Sequence, residues 1–476
     1  MNYRKVFLAV TMLAGLIAGC SSDTPDEYWK NEEPGILLTP PDSGQEEEEV
    51  PETPAAVRHK TFAGKAMCGY QGWFTAEGDA VGKGWQHLYP NGYNQFKPGY
   101  SSIEFWPDMS EYTKKYPTAF KQPDGETAYF FSSADYETTD LHFKWMKQYG
   151  IHGAIVQRFK STILGRPWME EVLANTIKAA EKYDIAIMLE YDLSGLEEGE
   201  SLDYIINDWK RLNDRFHFTD PTKCPNYLWE KGRPLVGFFG ISLNNGKSST
   251  PEQYLELMDS MEGRDGVKGE LSYLAGSGYA WLSSGSDAKP FSQWEKVFKR
   301  CAVIAPWAVG RYSDVNSFIN KKEIIERDIA WCKKNNKVYA PVAFPGFSWR
   351  NTQTVFEDNG TKITLPARDV YDQVPRLKGT FFWRQLASYV EWGADALFLA
   401  MFDEIDEGTA IFKCTHRDMT PINTSEVNPN GEFLSYDDDL NTGYYIFLAG
   451  EAGKWLRGAT GYTQTRPAYK EPAAID

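Results

Sequence analysis

From Ala66 onward the chain alternates short, continuously apolar runs with segments whose apolar residues recur every three or four positions. The runs are "AMCGYQGWF" (66–74), "GAIVQRF" (153–159), "IAIMLEYD" (185–192) and "PLVGFFG" (234–240), then "YLAGSGYAWL" (273–282), "VIAPWAVGRY" (303–312), "VYAPVAFPGF" (338–347) and "ADALFLAMF" (394–402). Unbroken apolarity, rather than alternation, predicts parallel strands covered on both faces. Between the runs lie amphipathic helices. Leu141, Trp145, Met146 and Tyr149 share one helical face that stops at Gly150, and Phe382, Leu386, Tyr389 and Val390 do the same before Gly393. A glycine just past the last turn supplies the left-handed cap that ends a helix. Residues 316–336 read as one helix that starts on a capping residue and ends in lysines, which complement its dipole.

Eight strand–helix units predict an α/β fold, a (β/α)8 TIM barrel with long strand-to-helix loops. An open doubly wound sheet would normally carry a glycine-rich phosphate loop after an early strand, and none is present. The extra length falls at 75–136, 348–378 and 409–440, after strands one, seven and eight. That is the face on which barrel enzymes carry their chemistry. Most helix-to-strand joints are short; residues 216–233 are the exception and read as a surface excursion.

The first 57 residues are of another kind. Arg4 and Lys5 precede a 12-residue apolar run, Val6 to Ile17, too short to span a bilayer and typical of a signal peptide. It ends in "IAGC", which resembles the lipobox of bacterial lipoproteins. Residues 1–19 are then the signal peptide and Cys20 the lipidated first residue of the mature chain; an ordinary cleaved signal is the alternative. Residues 20–57 form a tether with six prolines, eleven acidic residues and one lysine, too polar to offset chain entropy by burial. The body is 58–476. A single acyl anchor, with no further stretch able to cross a bilayer, predicts attachment to the cell envelope by lipid alone. "SSDTPDE" after Cys20 resembles the acidic signals that send some Gram-negative lipoproteins across the outer membrane to the cell surface.

Of the formal net charge of −16, the tether carries −10 and the leader +2, which leaves −8 on the body. A mildly acidic body without a basic stripe argues against nucleic acid as partner. Five cysteines follow Cys20, without metal-binding spacing; Cys68, Cys301 and Cys332 read as core residues, and one disulfide is open. The six histidines show no HExxH pattern, so no metal or organic cofactor is expected.

In a barrel, functional polar residues belong at the C-terminal strand ends. Gln157 and Arg158 end strand two, Glu190 and Asp192 strand three, Trp281 strand five, Trp307 and Arg311 strand six, and Trp349 and Arg350 follow strand seven. Tryptophan, arginine and carboxylate at one rim suit an oligo- or polysaccharide, whose rings lie on indoles and whose hydroxyls bind charged groups. The plainer reading of each residue is core packing or a structural ion pair. After strand eight, "DEIDEGT" places Asp403, Glu404, Asp406 and Glu407 within five positions. Residues three apart face opposite sides of a strand but one side of a turn, roughly 5–6 Å apart. Glu404 and Glu407 on a turn would form a carboxyl pair of the kind that cleaves glycosidic bonds. A solvated acidic loop or a calcium site is the bland alternative.

"FDEIDEGTAI" resembles the "NEW-x-EGT-x-I" stretch that ends the last strand in the endo-α-mannosidase and endo-α-mannanase family, glycoside hydrolase family 99. "GYQGWF" followed by Asp79, "WMKQYGIHGAIVQRF", "APWAVGRY" and "FPGFSWRN" look related, so the chain resembles the broader 71/99-like group over 66–412. The resemblance implies a retaining hydrolase in which Glu404 deprotonates the sugar O2 and Glu407 protonates the departing oxygen. O2 closes onto C1 as a 1,2-anhydro sugar that water then opens. It also implies Trp73, Asp79 and Asp403 as substrate contacts, beside Gln157, Arg158, Glu190, Trp307, Arg311 and Trp349. The trans geometry suits α-mannosides and α-arabinofuranosides. Asp403 and Ile405 stand where the family has asparagine and tryptophan, and Asp406 adds a charge. The rival readings are a surface glycan-binding lipoprotein without turnover, an exo-acting xylosidase or arabinosidase, and an α-1,3-glucanase. Cys20→Ala should abolish fatty-acid labelling and move the protein from membranes to the soluble fraction; unchanged sedimentation with membranes would refute the lipid anchor.

Overall fold

The computed structural model describes residues 50–475, apart from 90–93, 264–270, 354–356, 359–360, 363–370, 427 and 429–430. The leader, Cys20 and the tether to residue 49 lie outside the described residues. The eight apolar runs all form strands: β1 (Ala66–Tyr70), β2 (Gly153–Phe159), β3 (Ala186–Asp192), β4 (Arg233–Ile241), β5 (Ser272–Gly278), β6 (Val303–Trp307), β7 with β8 (Val338–Tyr339, Val342–Ala343) and β9 (Leu397–Leu399). They make one curled parallel sheet in the order β7-β6-β5-β4-β3-β2-β1-β9-β8. Run seven is two short strands, and it lies at both ends of that order. Val338 and Tyr339 pair with Val303 and Ile304, while Val342 and Ala343 pair with Phe398 and Leu399.

Each run is followed by a helix: α1 (Tyr136–Tyr149), α2 (Met169–Tyr183), α3 (Asp203–Phe216), α4 (Pro251–Gly263), α5 (Phe291–Arg300), α6 (Lys322–Lys334), α7 (Thr380–Trp392) and α8 (Tyr444–Leu456). The helices ring the sheet, and α8 returns to pack on α1. There a side chain at Gly450 would stand 1.7 Å from the Tyr149 carbonyl oxygen, so only glycine allows the approach. Gly150 and Gly393 cap α1 and α7 in the left-handed region, with φ of 89° and 90°. The helix expected over 316–336 is two. A short one (Val315–Ile319) is capped by Asp314, whose carboxylate accepts from Asn316 N and Ser317 N, and α6 follows it.

Residues 216–233 are not a surface excursion. Phe218, Tyr227 and Leu228 are fully buried, the Tyr227 hydroxyl donates to Leu235 O, and Trp229–Glu230 pairs antiparallel with the start of β4. These apolar side chains close the N-terminal end of the sheet. Val57, assigned to the tether, is also buried there. The five described cysteines are buried and unbridged.

The long strand-to-helix segments fold onto one another. A hairpin (Tyr116–Lys121 with Thr127–Phe130) sits over an aromatic cluster in which Phe96 stacks on Trp106 at 5.7 Å and Phe433 lies 5.7 Å from Phe120. Bridges Phe105–Leu434 and Pro107–Cys414 tie the first insertion to the last.

On the helix side of β2, Arg158 is buried in an ion pair. Its Nε and Nη2 donate to the two Asp208 carboxylate oxygens at 2.7 and 2.5 Å, and the Tyr191 hydroxyl adds 3.0 Å. Removing one partner strands a buried charge, at a cost of about 3–5 kcal/mol. Asp208→Ala should therefore lower the unfolding free energy measured in urea by that amount, and an unchanged value would count against it.

Candidate active site

The apolar strand β9 ends at Leu399, and the chain then doubles back on itself. Ile411 N donates to Met401 O at 3.0 Å and Phe412 N to Phe402 O at 3.0 Å, so 403–409 becomes the tip of a tight loop. Residues 405–408 form the turn. Gly408 leaves it at φ 70°, and a side chain there would stand 2.9 Å from Ser348 N. Glu404 thus directly precedes the turn and Glu407 lies within it, and neither is on an extended strand.

The four carboxyl groups have different surroundings. Asp403 accepts Gln71 N on one oxygen and Gly72 N on the other, both at 2.8 Å, and so ties the exit of β9 to the exit of β1. Glu404 accepts Gln71 Nε2 at 2.8 Å and Thr409 Oγ1 at 2.6 Å. Asp406 is buried, and its Oδ1 has no partner. Glu407 is half-buried; its carbonyl accepts Ser348 N at 2.8 Å.

Burial is the largest influence on all four, and it raises each. Asp403 is pushed up to about 7, its two backbone donors opposing the rise. Glu404 rises too, against its bonds from Thr409 and Gln71. Glu407 is pushed well above the usual carboxylate range by burial and then by the charges of Glu404 and Asp406. Asp406 is raised by burial and then by Glu404.

The neighbouring loops complete the enclosure. Glu104, from the first insertion, is fully buried; it accepts Ser348 Oγ at 2.9 Å and Asn351 N at 2.6 Å and is pushed up to about 7, chiefly by burial. On the inner face of the sheet, Gln157 Nε2 donates to Glu190 Oε2 at 2.6 Å. Glu190 Oε1 is buried without a partner. Room for this side chain exists because its neighbours are glycines: a Cβ at Gly237 would stand 2.9 Å from Glu190 Cγ, and one at Gly276 3.1 Å from Oε1. Trp307 ends β6 half-exposed, edge-on to Phe239 and Phe398 at 5.4 and 6.0 Å.

Several expected contacts are engaged elsewhere. Arg158 faces α3 and Asp208, because it sits one residue beyond the inward Gln157 and the strand alternates. Arg311 pairs with Asp287 at 2.9 Å, where Asp287 also holds Tyr279 N and Ala280 N. Trp281 is fully buried and donates to Asp328 at 2.9 Å. Asp79 organises its own loop, accepting from Ala76 N, Val81 N, Gly82 N and Ser132 Oγ. Trp73 lies two residues beyond Gln71, stacked on His87, and Trp349 is nearly buried beside Phe347.

Gln71 and Glu104 went unmarked in the sequence. Gln71 ends strand one, so the strand-end rule alone would have found it. Glu104, within "SSIEFW", carries no signal. Among the described residues no group of three or more His, Cys, Asp or Glu is arranged to hold a metal ion. No described helix is long and apolar enough to cross a membrane.

No family model and no curated protein matches this sequence. Solved structures do. The endo-α-mannosidase of glycoside hydrolase family 99 from Bacteroides thetaiotaomicron is 14% identical, with a TM-score of 0.57 over 84% of this chain and 100% of its own. Its complex with bis-tris propane gives 14% and 0.56 over 83% and 98%. The fold is therefore the α/β fold of that glycosidase, the family to which the strand-eight motif pointed.

Glu190 gives the site a pH signature. Burial first, then the charge of Asp192, push its carboxyl to about 7 against the bond from Gln157; its ordinary value is 4.5. Between those values the folded chain holds a proton that the unfolded chain has lost, so stability falls as pH rises from about 4.5 to 7. Asp403 and Glu104 contribute with the same sign. Glu190→Gln should make the fall in Tm between pH 5 and 7.5 shallower; a profile parallel to wild type would exclude this origin.

Proposed function

We propose that the chain is a retaining glycoside hydrolase that acts on α-mannan or a related α-linked glycan, with Glu404 and Glu407 as its reacting pair. The observation that carries this reading is the asymmetry of two carboxyls on one turn. Glu404 accepts two side-chain hydrogen bonds, which favour its ionised form. Glu407 meets no donor among the described side chains and feels the Glu404 charge, which keeps it protonated. Both rise, but Glu407 rises further, so Glu404 is the first of the pair to ionise and suits the base, and its neighbour suits the acid.

In this reading Glu404 takes the proton from the sugar O2 while Glu407 gives its proton to the leaving oxygen. O2 attacks C1 from the face opposite the leaving group and forms a 1,2-anhydro sugar. Glu407, now ionised, activates water to open that ring at C1, and Glu404 returns its proton to O2. Two inversions give net retention. The route requires O2 trans to the leaving oxygen, as in an α-mannoside and not in an α-glucoside. Gln71 and Thr409 orient the base. Trp307 and Trp349, at the ends of neighbouring units, would flank the chain of sugars. The leader further supports placement of the enzyme on the cell envelope through Cys20.

Glu404→Gln and Glu407→Gln should each lower release of sugar from α-mannan oligosaccharides by about 10²–10⁴-fold with little change in Tm. An α-mannosyl fluoride needs no protonation to depart, so Glu407→Gln should keep more of its turnover on it than Glu404→Gln does. Wild-type turnover in either variant, or binding without cleavage across neutral and acidic α-glycans, would overturn the assignment.

A further inference from the structure

The first insertion places His87 flat against the indole of Trp73, with ring centroids 4.1 Å apart and planes 7° from parallel. His87 adopts a φ of 60°, a left-handed backbone that L side chains avoid and that tends to persist at working sites. Its Nε2 lies 2.6 Å from Arg166 Nη1. A guanidinium can only donate, so Nε2 accepts and the ring proton sits on Nδ1. Burial, and then the Arg166 charge, hold the imidazole well below its usual pKa, so the ring is neutral.

Arg166 follows the short helix Lys160–Gly165 beyond β2 and is half-buried. Arg158, Arg211, Arg215, Arg300 and Arg311 of this acidic chain pair with acids, whereas Arg376 and Arg466 donate to carbonyl or hydroxyl oxygens. Arg166 is of neither kind. Among the described residues its side chain meets no carboxylate and bonds only to the neutral His87. The stack lies at the rim between β1 and β2. Trp73 directly follows Gln71 and Gly72, which hold Glu404 and Asp403, and its indole lies 5.3 Å from Phe159 at the end of β2.

We propose that Arg166, set on the Trp73–His87 stack, is an anion subsite on the rim that carries the reacting carboxyls, so that the glycan taken here bears an acidic group, a uronic-acid carboxylate or a phosphate ester. This rests on the reading of the site as one that binds glycans. A guanidinium offers a planar fork that fits either oxyanion with two parallel bonds. Half-burial strengthens that pairing, and His87 fixes the fork while leaving its other donors for the ligand.

The test is binding, measured by calorimetry with a Glu407→Gln protein that leaves ligands intact. Three probes serve: α-1,2-mannobiose, its 6-phosphate, and an α-glucuronosyl-mannose. One or both acidic disaccharides should bind at least tenfold tighter than mannobiose, and the preferred one identifies the oxyanion. Adding Arg166→Met should abolish the preference, and Arg166→Lys should keep part of it, since it retains the charge and loses the fork. Should the methionine variant fail to fold, the lysine variant carries the test through that partial loss. Equal binding of all three probes, or a preference that survives both substitutions, overturns the subsite. Cleavage of neutral α-mannan together with equal binding overturns the subsite alone and leaves the hydrolase reading standing. Arginine-dependent binding of an acidic probe, with no cleavage of any neutral or acidic glycan by the wild-type chain, upholds the subsite and overturns the hydrolase reading.

Discussion

The site depends on one clamp. Asp403 takes two consecutive backbone N–H groups, those of Gln71 and Gly72, one on each carboxylate oxygen. It thereby joins the ends of the first and last strand–helix units, which are about 330 residues apart in sequence and adjacent in the sheet. Gln71, held by its own backbone, turns its side-chain amide onto Glu404; Trp73, two residues further, carries the stack with His87. The acid that looks superfluous beside the proposed reacting pair is thus the one that ties its loop to the first strand.

This arrangement also explains why four acids crowd the mouth of an apolar strand. Each has its own environment: two backbone donors for Asp403, two side-chain donors for Glu404, burial without a donor on one oxygen for Asp406, and partial exposure for Glu407. Burial raises all of them, and protons retained on Asp406 and Glu407, the two raised furthest, relieve the repulsion, while hydrogen bonds to Glu404 oppose its rise. Like charges pressed together in a low-dielectric setting spread their pKa values apart, and a spread between neighbours is what acid–base chemistry needs. The fold supports the crowd from three sides: the strand-eight loop itself, Glu104 from the first insertion, and Ser348 with Asn351 after strand seven.

The architecture was largely legible. Continuous apolar runs became parallel strands, and Gly150 and Gly393 ended their helices as read, because caps and periodicity are local properties. Burial of 216–233 was misjudged: its aromatic residues have no period, and what covers them comes from distant strands. The rim was read less well than the strands. Arg158 packs against a helix, since alternation sends neighbouring side chains to opposite faces, and Trp281 lies in a turn past the end of β5 and reaches Asp328 on α6. Arg311 is engaged by Asp287, a partner 24 positions earlier that no pattern connects to it.

By itself the sequence determined which segments are strands and helices, where the long loops fall, and that Glu404 and Glu407 stand three apart after a buried strand. Those are consequences of local stereochemistry and of apolar patterning, which act over a few residues. Only the tertiary structure decided which carboxyl receives hydrogen bonds, that Glu104 joins them, and that Arg166 meets a neutral histidine and no acid. Burial and charge act through space, and the groups that set them arrive from loops with no common period.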